Sequence, residues 1–85
     1  MQLNHEMHRP TQYVIQLDDT GARFVARGVE DGEIIAEHPV LDTAIEIAFD
    51  RLRRHAPCEV TIPDGRQWHL DHAGADWRAV HRSPL

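Results

Sequence analysis

The run His69-Leu70-Asp71-His72 sets two imidazoles and a carboxylate close together, donor types that suit zinc or another borderline divalent ion. On a strand, His69 and Asp71 share one face while Leu70 and His72 share the other. The three ligands therefore converge only if the strand ends near Asp71. A second pair, His5 and His8 in His5-Glu6-Met7-His8, has helical i, i+3 spacing. The metalloprotease motif instead needs histidines four apart with the glutamate beside the first. Both clusters lie near chain ends or turns, where solvated histidine is common. A metal-binding protein using His69, Asp71 and His72 is thus an alternative reading, and no cofactor is expected.

Nucleophilic chemistry finds less support. Ser83, the only serine, is two residues from the C-terminus, far from the rigid turn, base and oxyanion hole that a serine nucleophile needs. Cys58 is the only cysteine; it rules out an intrachain disulfide, and alternation reads it as a small inward-facing strand residue. The carboxylates Asp18/Asp19 and Glu30/Asp31/Glu33 fall in turn sequences, where local hydrogen bonding and solubility account for them. The five glycines are dispersed and form no phosphate loop. No catalytic residue is expected.

Arg51, Arg53 and Arg54 make the best case for nucleic acid, since arginines at the end of a helix reach phosphates. A nucleic-acid accessory protein using these three is the other alternative. Asp50 and Glu46 share their segment, however, and the 85-residue chain has a net charge of −5, with arginine as its only strong base. That balance disfavours phosphate backbones and anionic membrane surfaces alike. No apolar run approaches the roughly 20 residues of a membrane span, and Met1–Pro10 lacks the apolar core of a secretory signal. The lone thiol fits a reducing compartment, so the expected location is cytoplasmic.

The elements that must position these groups follow from periodicity and punctuation. Residues 1–10 read as a flexible lead-in, 11–80 as one domain and 81–85 as a fraying end. Gln12–Leu17 is β-rich, Asp18-Asp19-Thr20-Gly21 a turn, and Ala22–Val29 a second strand. On that strand Arg23, Val25 and Arg27 alternate with Phe24 and Ala26. Asp31-Gly32 signals a hairpin into a strand at Ile34–Glu37. Pro39 ends the sheet pattern, and Asp42 reads as the N-cap of a helix over Thr43–His55, with Ala44, Ile45, Ala48, Phe49 and Leu52 inward. Pro57 closes it. Cys58–Ile62 and Arg66–Asp71 form a hairpin about Pro63-Asp64-Gly65, and Asp76–Val80 is a possible sixth strand.

The expected fold is therefore α+β: an antiparallel meander of order β-β-β-α-β-β, with or without a final strand, and one helix packed on one sheet face. Val14, Val25 and Ile35 fall on the second face among arginines and glutamines, which suggests a partner or self-pairing surface there. With the chemistry above weighed out, protein binding remains. The candidate contacts are the acidic turns Asp18, Asp19, Glu30 and Asp31, and the strand face of Arg23, Val25 and Arg27. The expected partner is a protein, and a homodimer through the open sheet face or an edge is an option.

The arrangement over about residues 12–80 resembles two groups of small proteins. One is a bacterial domain of unknown function whose helix begins Asp-Thr-x-x-x-Ile-x-x-Ala. Asp42-Thr43, Ile47 and Phe49 echo it here, with Ala48 earlier than that alanine. The other is the anti-CRISPR inhibitors of phages and mobile elements, some of which pair a small antiparallel sheet with one helix and a tryptophan-bearing hairpin like Trp68–Trp77. The resemblance implies a non-catalytic protein that blocks a larger complex by binding it. It carries over no individual site residue.

Overall fold

A computed structural model of the chain describes residues 10–71 and 77–80. In order they form β1 (Thr11–Leu17), β2 (Phe24–Gly28), β3 (Ile34–His38), α1 (Leu41–Leu52), a 3-10 turn (Arg53–His55), β4 (Cys58–Thr61), β5 (Gln67–Leu70) and β6 (Arg78–Val80). The fold is α+β, with one helix on a six-stranded sheet, and the sixth strand is present. Both terminal segments, 1–9 and 81–85, lie outside the described residues.

The sheet is not a single meander. Its order is β3-β2-β1-β4-β5-β6, with β1 and β4 parallel and every other pair antiparallel. Short turns force antiparallel neighbours, which accounts for β1-β2-β3 and β4-β5-β6. The two blocks meet where α1 carries the chain across to lay β4 beside β1, because a parallel pair needs a long crossover. At β3, Arg51 donates from Nη1 to the Ile35 carbonyl at 2.8 Å.

The helix begins two residues earlier than Asp42 suggests. Val40 is the N-cap, without a side-chain cap bond, and Asp42 lies inside the first turn, where its charge complements the helix dipole. The His38 ring takes over the local fixing, with Nδ1 accepting from the Val40 N–H at 3.0 Å. The helix also stops short of His55, since Arg53–His55 tightens into a 3-10 turn before Pro57.

Helix and sheet share a core of small and branched residues. Ile15, Val60, Cys58, Leu70, Ala44, Ala48 and Leu52 are fully buried. Small alanines on α1 lie against the sheet, and aromatics pack beside them. Phe49 stacks on Trp77 at 4.1 Å and meets Trp68 edge-on at 5.9 Å. Trp77 thus anchors the approach to β6. Ile35, expected on the open face, instead packs against this core, because the register shift between Ala26 and Arg27 adds a residue to β3 and turns it inward.

Candidate protein-contact surface

The face away from the helix is a polar fabric. By register it carries Gln12, Val14 and Gln16 from β1, Val25 and Arg27 from β2, Glu59 and Thr61 from β4, and Gln67 and His69 from β5. Glu59 stands at its centre. The Gln12 amide donates to its Oε1 at 3.0 Å, and His69 Nδ1 lies 3.3 Å from its Oε2 without being aligned as a hydrogen bond. Gln67 donates to Thr61 Oγ1 at 3.1 Å. Val25 does lie on this face with Arg23 and Arg27, but at 3% exposure it is not a contact residue. It is short, its cross-strand neighbours Gln16 and Glu37 are long, and arginines stand two positions to either side. Arg27 is half-buried, and the exposed Arg23 is held toward Glu37 at 3.4 Å.

The four acidic turn residues do not form one patch. Antiparallel pairing of β1 and β2 puts Asp18 and Asp19 at one end of the sheet and Glu30 and Asp31 at the other, roughly 20 Å away along a strand of this length. At the first end, Asp18 Oδ1 accepts from Thr20 N–H (3.1 Å), Thr20 Oγ1 (2.9 Å) and Ala22 N–H (3.2 Å). Chiefly through the Thr20 hydroxyl, these bonds hold the carboxyl below its ordinary range. Gly21 supplies the positive φ of 74° that the turn requires. Asp18 is therefore a turn-builder, and Asp19 presents the free charge. At the second end, Asp31 Oδ1 accepts from the Glu33 N–H at 2.9 Å, and its carboxylate occupies the space that a β-carbon on Gly28 would need. Burial, then the charges of Cys58, Asp31 and Glu33, push the Tyr13 phenol up.

The other sequence candidates are spread over the surface. Arg51 is committed to the Ile35 carbonyl, while Arg54 and His55 line a shallow cleft with Glu33, Ile34 and Asp50. Arg53 is exposed on the 3-10 turn. His69 faces Glu59 across the β4/β5 pair, Asp71 follows the end of β5, and His72 lies outside the described residues. Among the described residues no three His, Cys, Asp or Glu side chains gather as a metal site. Cys58 is fully buried, and burial, then the charge of Glu59, pushes its thiol up to about 11, so it stays protonated and unreactive.

One feature was invisible in the sequence. At the carboxyl ends of β1 and β4 the chain leaves in opposite directions, into β2 on one side and β5 on the other. A notch opens between them, lined by Ile15, Leu17, Phe24, Ile62 and Pro63 among others. Leu17 is 52% exposed and Val40, beyond the same end of β3, is 54% exposed. Asp18 and Asp19 follow directly, and the turn holding Asp64 stands across the notch. The only sequence signal was an apolar strand running straight into Asp18-Asp19; the parallel pairing that makes the notch had none.

No family model matches the chain, and no curated protein or solved structure matches it. No helix among the described residues is long and apolar enough to cross a membrane.

Proposed function

We infer that the chain is a small non-catalytic module that acts by binding another protein, with its recognition surface at the end of the sheet where β1 and β4 diverge. The observation that carries this reading is the half-exposed Leu17 at the mouth of an apolar notch, beside the uncompensated charge of Asp19. Here the exposed side chain adjoins an apolar notch and a carboxylate rather than standing alone on the surface. A domain of this kind works by occupying a surface of a larger assembly, the inhibitor mode that the anti-CRISPR resemblance implies. Net negative charge and the commitment of Arg51 to the fold favour a protein partner over nucleic acid.

The test is capture of partners from host lysate on tagged wild-type protein and on Leu17→Asp, each with and without nuclease. A stoichiometric protein that survives nuclease and rebinds as a purified pair supports the reading. Partners that vanish with nuclease, and binding that is lost on replacing Arg53 and Arg54, would transfer the function to nucleic acid.

A further inference from the structure

The notch has a chemistry more specific than apolarity. Along β1 the hydrogen-bonding direction alternates. Val29 N–H donates to Gln12 O and Asp18 N–H to Arg23 O, so even-numbered residues face β2; Thr11 N–H donates to Pro57 O, so odd-numbered residues face β4. The β1/β4 ladder stops at Val14↔Thr61. The next donor in register for the Ile15 carbonyl would be the nitrogen of Pro63, which has no hydrogen. Ile62 turns away as well, donating to Arg66 O in the hairpin. The Ile15 carbonyl is left buried beside Ile62, while the N–H and carbonyl of the half-exposed Leu17 are directed past the end of β4 with no strand beside them.

These groups border the apolar wall of Leu17, Phe24 and Ile62. The charges around them are unequal. Arg23 lies toward Glu37 (3.4 Å) and Arg66 bonds Asp64 (2.8 Å), which leaves Asp18 and Asp19 as net negative charge at the rim. Backbone donors and acceptors select an extended main chain, the wall selects one apolar side chain, and the rim selects a basic one.

The geometry points to a docking site for an extended peptide segment of another protein, which runs beside Leu17 past the end of β4, seats an apolar side chain in the notch and sets a Lys or Arg against Asp18 and Asp19. This rests on the protein-binding reading and names its mode.

The probe is a displayed library of random linear peptides, followed by synthesis of the enriched sequence and its titration into isotope-labelled full chain. Expected are enrichment of an apolar residue near a basic one, shifts confined to Ile15–Asp19 and Ile62–Gly65, and slowed exchange of the Leu17 amide. Leu17→Asp should weaken the peptide about tenfold or more. Asp19→Asn, which leaves the notch intact, should weaken it less and flatten its salt dependence. Failure to enrich any peptide, shifts mapping elsewhere, or an unchanged Leu17 amide would overturn the proposal. So would a dimer that Leu17→Asp dissolves, since the occupant would then be a second copy. A protein partner captured equally by wild type and Leu17→Asp would sink this docking mode while leaving the binding function standing.

Discussion

On the helix-covered face of the sheet, Ile15, Cys58, Val60 and Leu70 are fully buried and set no polar atom against α1 apart from the thiol; on the opposite face the same strands present Gln12, Glu59, Thr61, Gln67 and His69. The first face is stabilised by removing apolar area from water; the second carries polar groups only partly satisfied by one another, with Arg27 Nε, Gln67 Oε1 and His69 Nδ1 buried and unpartnered. Energies differ accordingly. A buried aliphatic side chain is worth a few kcal/mol, while a half-exposed hydrogen bond nets about 1 kcal/mol. The difference teaches that the covered face carries most of the stability, while the large exposed apolar side chain Leu17 lies at the sheet's end.

The strongest way to break this comparison is Leu52→Ala. Leu52 is fully buried where α1 closes on the sheet. The substitution is expected to cost about 2–5 kcal/mol, read as a fall in the urea midpoint at unchanged slope. A loss as small as that of an open-face substitution would show that the helix is not the dominant anchor.

Cys58 sharpens the contrast by pH. Unfolded, its thiol ionises near the ordinary 9.0; folded, it holds its proton to about 11. Between those values the unfolded chain releases a proton that the folded chain keeps, so stability falls as pH rises through that window, by about 2–3 kcal/mol in full. Cys58→Ala should remove this portion of the alkaline loss and leave the part due to Tyr13. Native protein should also resist thiol reagents at neutral pH. Rapid labelling without unfolding would contradict the burial.

Next in size is the open-face pair. Glu59→Ala strands the Gln12 amide, with an expected cost of about 1 kcal/mol. Replacing Gln12 and Glu59 together by leucines should restore most of it, because neither partner is then left unpaired. Additive losses in the double variant would show that the two side chains act independently and that the polar fabric is not a network.

Sequence patterning exposes one of these faces far better than the other. The period-2 alternation of Tyr13/Ile15 and Cys58/Val60/Ile62, and the helical spacing of Ala44, Ala48 and Leu52, made the covered face, five of the six strands and the single helix readable, with the sixth strand left open. Strand order was not readable, since a parallel β1/β4 pair leaves no local mark: it depends on where a crossover lands. For the same reason the notch escaped notice. Val25 misled because alternation assigns a side chain to a face but says nothing about the length of its cross-strand neighbours. Asp42 misled because a cap residue inside the first turn serves the dipole equally well.

The smallest expected effect lies at the turn that frames the notch. Asp18 is fully exposed, yet its Oδ1 accepts three hydrogen bonds and its carboxyl sits below the ordinary 3.8. On acidification the unfolded chain takes up its proton first, so the stabilisation is present above 3.8 and lost as pH falls through the lower folded value. Asp18→Asn keeps an acceptor oxygen and should retain most of the turn while losing this acid dependence. Asp18→Ala should lose both and speed amide exchange at Thr20 and Ala22, with little change in the unfolding midpoint, because exposed interactions are screened. Exchange at those two amides unaltered in Asp18→Ala would mean the carboxylate does not hold the turn. If the turn loosens and Leu17 loses its peptide as well, then the aspartate contributes to recognition by holding the end of β1 in place as well as by its charge.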